Sequence, residues 1–226
     1  APFSVAPPRD SSTINAMLVF ALALAISPAG YGVARLNEVL PPDVALTTAI
    51  GSACPRPLPT GPESLSIAVI QRDGKRTLSL CGADETGLMY AALDTAERIR
   101  WAGANGDPLR LVHPVTQQPV ITERAVSMYT MQRALFEQRL HDARYWTRYF
   151  DLLAASRINS FVIVFGYENG GFLAPPYPFF YDTPGFDSVR FNGLTPTQQS
   201  RNADSFRTMI RLAHERGIRV TAAIQN

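Results

Sequence analysis

Two short apolar runs constrain this chain most: "FVIVF" at residues 161–165 and "IRVTAAI" at 218–224, separated by a helix-patterned stretch. Strands this apolar belong in a parallel sheet laid against helices. The segment between them must then be the crossover helix of a β-α-β unit. Its pattern over Arg201–Arg216 turns Phe206, Ile210 and Ala213 inward, and Gly217 is placed to cap its C-terminus. A second helix is predicted over 141–157, with Tyr145, Tyr149, Leu152 and Leu153 on its inner face. Ile121–Tyr129 is long enough to hold a leading strand. One such unit buries neither face of a sheet fully, so residues 119–226 are expected to be the start of a larger α/β domain, with the rest beyond Asn226.

The N-terminal half carries a different pattern. Pro28–Leu40 reads as a helix with Ser27 as N-cap and Pro28 in its first turn, stopped by Pro41-Pro42. Residues 41–63 are rich in proline and predicted as loop. Leu65–Ile70 and Arg76–Leu80 flank Arg72-Asp73-Gly74-Lys75, whose Asp-Gly pair is a hairpin signal. A helix capped by Asp84 follows, with Leu88, Met89, Ala92, Leu93, Ala96 and Ile99 at helical spacing and Gly103 closing it. Leu109–Val115 is predicted as a short strand. Residues 14–118 are therefore expected to form a small α/β sandwich, after a flexible segment at 1–13. Met17–Ile26 reads as a buried strand. The alternative is the apolar core of a secretory signal cleaved near Gly32-Val33-Ala34, but only Arg9 and Asp10 precede it, which is not a basic leader. The run is too short to span a bilayer.

Composition excludes several functions. The 21 basic and 19 acidic residues are scattered without runs, which gives no footprint for nucleic acid or an anionic membrane. The three histidines (His113, His141, His214) match no metal-ligand spacing, so neither a metal nor a cofactor is expected. No glycine-rich phosphate fingerprint follows either apolar strand. The two cysteines, Cys54 and Cys81, leave open both a single disulfide in an exported protein and two free thiols. The sequence sets no oligomeric state.

Two motifs taken together carry a family resemblance. "CGADETGLMYAALDTAERI" contains Asp84, Gly87 and Tyr90 in an Asp-x-x-Gly-x-x-Tyr pattern. It resembles the strand-turn-helix that ends the N-terminal domain of family 20 β-hexosaminidases and family 67 α-glucuronidases. "PVITERAVSMYTMQR", then "AASRINSFVIVFG" and "LAHERGIRVTAAIQN", is similar to the first β/α units of the barrel in such glycosidases. The resemblance implies a fold of a small α/β sandwich followed by an incomplete (β/α)8 TIM barrel. It also implies a carbohydrate substrate and cleavage of glycosidic bonds by carboxylate general acid catalysis. The catalytic carboxylates would lie beyond residue 226, so no catalytic residue is assigned within the chain. Export to the periplasm or the exterior follows only by analogy with glycan-degrading enzymes.

Substrate contacts are expected at the C-terminal ends of barrel strands. Tyr167, Glu168 and Asn169 follow "FVIVF": a ring stacks on a sugar face, and the polar pair meets hydroxyls. Asn226 follows the next strand. Arg124 matches the family's arginine at the first barrel strand, where its planar fork would bond sugar hydroxyls; the plainer reading is a surface arginine in a connector. Phe172, Tyr177, Phe179, Phe180 and Tyr181 are expected to pack the long insertion onto the rim. Asp84 is expected as a helix cap, and Tyr90 and Trp101 as core or interface residues. A non-catalytic carbohydrate-binding or interaction module is the alternative function.

Overall fold

The computed structural model describes residues 27–55, 58, 61–72, 74–103, 105–128, 133–166 and 177–224. The strand expected at 17–26 falls outside them. Helix α1 (Pro28–Asn37) begins as expected, with the Ser27 hydroxyl accepting the Gly30 amide at 3.2 Å. Strand β1 (Ala45–Ile50) corrects the prediction of loop over 41–63. The prolines around it mask a strand whose side chains are largely exposed, and which is held by backbone pairing rather than by a buried face. It runs parallel to β3 (Lys75–Gly82), which pairs antiparallel with β2 (Leu65–Arg72) through the predicted hairpin. β4 (Val115–Gln117) adds a short antiparallel edge, giving the order β1-β3-β2-β4. This corrects the strand predicted at 109–115. Leu109 and Val112 are buried, but within successive turns closed by Arg110 N–H to Asp107 C=O and Val112 N–H to Leu109 C=O.

Helix α2 (Glu85–Ala102) lies over this sheet, capped at its ends by Asp84 and Gly103 as the sequence indicates. Its buried Leu88, Met89, Ala92, Ala96 and Ile99 meet Leu65, Ile67, Leu78 and Leu80 of the sheet. α1 packs on α2 so closely that a Cβ at Gly32 would lie 2.7 Å from the Met89 Cα. Trp101 is 67% exposed, so of the two places expected for it, core or interface, it does not take the core. It follows from helical phase: Ile99 and Ala102 face the sheet, and Trp101 does not.

The second sheet has three parallel strands in the order β5-β6-β7: Ala125–Ser127, Ser160–Phe165 and Arg219–Ile224. β5 lies inside the predicted leading segment. Helices α3 (Arg133–Leu140) and α4 (Ala143–Ala155) join β5 to β6, and α5 (Pro196–His214) joins β6 to β7. α3 escaped the sequence reading because, over 134–140, only Phe136 and Leu140 are buried, too few to set a period. Of the predicted inner face of α4, Leu153 is buried and Tyr145 and Tyr149 are partly buried against the same core, while its centre is Trp146 and Phe150. Trp146, Tyr149 and Phe150 all pack on Phe161 of β6, with ring centroids 6.0, 5.8 and 5.5 Å away. Leu152 is left 61% exposed. α5 starts at Pro196, one turn earlier than predicted. Thr195 and Gln198 form a capping box there, a signal that "TPTQ" carries openly.

Gly217, at φ +66°, ends α5 as anticipated. Its N–H bonds the His214 carbonyl, and Ile218 N–H bonds that of Ala213. Helices cover one face of the second sheet. On the other face, aligned Ser127, Val162 and Thr221 are partly or fully exposed, and the three strands form no closed barrel. Among the described residues, no helix is long and apolar enough to cross a membrane.

Candidate functional site

In a parallel sheet the strands end on one side, and ligands gather where the loops leave those ends. Here that side lies past Ser127 of β5, Phe165 of β6 and Ile224 of β7. Each crossover helix runs back against its strand, so the N-termini of α4 and α5 flank the same side. Phe165 sits between Phe180 and Phe206, with centroids 6.0 and 5.8 Å away. Phe179 and Phe180 are buried, as expected of residues packing the insertion onto the sheet's rim. Asn202 donates to the Phe179 carbonyl at 3.1 Å, and Gln199 donates to Pro178 C=O and the Asp182 carboxylate. These bonds tie 178–182 to α5 and leave Tyr177 and Tyr181 exposed beside it. Tyr167, Glu168, Asn169 and Asn226, the residues expected to touch substrate, lie outside the described residues, as does Phe172.

Arg124 is elsewhere. It immediately precedes β5, at the end of the sheet where the strands begin. Its guanidinium is engaged on every nitrogen: Nε donates to Arg157 C=O at 2.5 Å, one terminal nitrogen to Ile121 C=O at 2.7 Å, and the other to the Glu63 carboxylate and, at 3.4 Å, to the Tyr90 hydroxyl. Asn159 completes the cluster. Its side chain accepts the Arg124 N–H at 2.9 Å and donates to Glu63 at 2.7 Å and Thr122 C=O at 2.8 Å. Burial would lower the Arg124 pKa, but the Glu63 carboxylate outweighs it and the net shift is upward. Burial, and then Glu63, push the Tyr90 hydroxyl up to about 12.

This cluster is the seam between the two sheets, and it explains the Asp84, Gly87, Tyr90 motif. One Asp84 oxygen caps α2 by accepting Gly87 N–H at 2.8 Å, and the other accepts Glu63 N–H at 2.9 Å. Glu63 is held at φ 60°, from where its side chain crosses to Arg124 and Asn159. The lack of a side chain at Gly87 admits the Ser64 carbonyl. Tyr90 lies under two guanidinium groups, those of Arg124 and Arg157, each 6.0 Å from its centroid. Arg157 is the other non-glycine residue at positive φ among those described. Both strained residues serve the same junction, a cost that persists only where the surroundings fix it. A recess of about 580 Å³, lined by Glu63, Tyr90, Gln117, Ile121, Arg124 and Arg157, opens beside it. A second bridge joins Tyr31 of α1 to Asp151 of α4 at 2.8 Å, and Asp151 to the buried Arg216 at 2.6 Å.

Sequence reasoning missed a cleft of about 730 Å³ between the α3–α4 turn and α5, on the side where the strands end. Its lining includes His141, Trp146, Ser200, Arg201, Asp204 and Ser205. His141 Nδ1 lies 2.8 Å from Ser205 Oγ, while the buried Trp146 Nε1 has no partner among the described residues. The pair is separated by 64 residues, so no local spacing could reveal it. Burial first, and then the Arg201 charge, lower the His141 pKa, against a smaller opposing effect of Glu137. The unfolded chain therefore takes up this proton more readily than the folded one. Stability is expected to fall as pH drops below about 6.5. Thermal midpoints measured from pH 7 to 5 should fall more steeply in the wild type than in His141→Gln. Equal slopes would remove His141 as a source of the dependence.

No family model and no curated protein matches the sequence. Among solved structures, the chain is similar to a GH138 enzyme targeting pectin rhamnogalacturonan II, with a TM-score of 0.55 and 18% identity. The match covers 73% of this chain and 18% of that enzyme, so this chain spans under a fifth of that enzyme's length. The likeness is one of fold: an α/β arrangement found in a glycoside hydrolase.

Proposed function

We propose that this chain is the N-terminal part of a glycoside hydrolase of the family 20 or family 67 type, in which a small α/β domain (14–118) leads into a TIM barrel (119–226 and beyond). The observation that carries the reading is the fold likeness to a polysaccharide-targeting glycoside hydrolase, joined to a parallel sheet of barrel-like β/α units. In this reading, the loops after β6 and β7 hold the carbohydrate through Tyr167, Glu168, Asn169 and Asn226. The carboxylates that protonate the leaving oxygen and meet the anomeric carbon stand on later strands. A sugar contact by Arg124 would be made in the recess at the strand starts, as a subsite separate from those loops. Oligosaccharides bearing uronic acids suit the proposal best, because the neighbour targets a pectin.

Titrating the chain with pectic oligosaccharides while following backbone amide shifts tests it. Perturbations are expected at Met128, Phe165 and Gly166, at the ends of β5 and β6, and turnover of aryl glycosides by these 226 residues should stay at background. No perturbation at millimolar oligosaccharide would sink the carbohydrate reading. Turnover by this chain alone would overturn the placement of the carboxylates. Binding without turnover by a polypeptide carrying the later strands would favour the non-catalytic module.

A further inference from the structure

We propose that Cys54 and Cys81 form a reversible intramolecular disulfide, which ties the crossover after β1 to the first sheet when the protein meets an oxidising environment. The two are the only cysteines in the chain, and both are free thiols in this structure. Their approach is built by the fold. β1 and β3 are parallel neighbours, with Ala49 opposite Cys81 and Ile50 opposite Gly82. Immediately after this last pair, a single turn of 3-10 helix at Gly51–Ala53 reverses the chain, with Gly51 at φ +58° and Cys54 N–H bonded to Gly51 C=O at 3.1 Å. The turn delivers Cys54 Sγ to 3.8 Å from the Gly82 carbonyl. Leu78 and Leu80 of β3 point at α2, so by strand alternation Cys81 points to the opposite face, next in sequence to the Gly82 carbonyl that Cys54 approaches. Burial, and then Cys54 beside it, raise the pKa of Cys81.

Exposure divides the work between the two sulfurs. Cys81 is 5% exposed, while Cys54 is only partly covered. Cys54 is therefore the sulfur that meets a soluble oxidant such as glutathione disulfide. Its thiolate attacks one sulfur of that disulfide and expels a glutathione thiolate, leaving a mixed disulfide. Cys81 then loses its proton to solvent and attacks the Cys54 sulfur, expelling the second glutathione. Two protein thiols are oxidised and one glutathione disulfide is reduced to two glutathiones.

The test is intact mass and thiol titration of the 226-residue chain, equilibrated with glutathione disulfide and acid-quenched. The expected product is a monomer lighter by two hydrogens, with no titratable thiol in denaturant and a peptide map linking Cys54 to Cys81. Its thermal midpoint should lie about 8 °C above that of the reduced chain. Cys81→Ser should stop at a glutathione adduct on Cys54, and Cys54→Ser should leave Cys81 unmodified while the chain stays folded. Cys→Ala versions of both replace any serine variant that fails to fold. A wild type that halts at the mixed disulfide, keeps both thiols, or links between chains would overturn the proposal.

Discussion

Gly87→Ala is expected to destabilise this protein by about 3 kcal/mol, a fall of about 6–12 °C in thermal midpoint. A Cβ at this position would stand 2.3 Å from the Ser64 carbonyl oxygen, and the obstacle is backbone. That oxygen already accepts Ala83 N–H at 2.8 Å, so it cannot retreat without disturbing the junction that aligns the start of β2 with the end of β3. The strand also cannot slide, because Gly82 is pressed under the same helix turn, where a Cβ would lie 2.1 Å from Leu88 N. Gly106→Ala is the control. Gly106 has φ +91° and open space around it, so only conformational strain of about 1 kcal/mol is expected. Denaturant unfolding of both variants measures the difference. Equal losses would mean that the close approach of Ser64 adds nothing at Gly87.

Arg124→Ala should cost about 3 kcal/mol, because it leaves the partly buried Glu63 carboxylate without its cation. The two side chains are only 18% and 14% exposed. The loss would also free the carbonyls of Ile121 and Arg157 and the hydroxyl of Tyr90, so the seam should loosen as a unit. Arg124→Lys retains the charge but cannot reach Arg157, Ile121 and Glu63 together, and should recover less than half of the loss. In the double variant Arg124→Met/Glu63→Gln no charge is stranded, and its loss should be smaller than the sum of the single changes. Chemical unfolding of the four proteins reads this coupling. A wild-type midpoint in Arg124→Ala would place Arg124 outside the structural junction and leave its interest to ligand alone.

The fold was legible wherever a local rule acts. The Asp-Gly hairpin, the Asp84 and Gly103 caps, the Gly217 stop and the apolar β6 each follow from a few neighbouring residues. What escaped depends on partners far along the chain. β1 has little burial of its own and exists through its pairing with β3. The centre of the buried face of α4 was off by part of a turn, because Tyr145 and Tyr149 border it and only tertiary packing puts Trp146 and Phe150 at its middle. The Asp84, Gly87, Tyr90 motif was visible as a pattern, but its use was hidden. Its residues cap a helix, admit a carbonyl and floor an ion pair whose members, Glu63 and Arg124, lie 61 positions apart.

The amino-acid sequence by itself determined that this chain is α/β, with a hairpin and a capped helix in its first half and parallel β/α units in its second. Periodicity, caps and turn residues act within a few positions and need no tertiary partner. Only the tertiary structure decided what Arg124 does, which face α4 buries, and that His141 meets Ser205 and Cys54 meets Cys81. Each of these depends on two side chains from distant segments arriving at the same place, and no local pattern encodes that meeting.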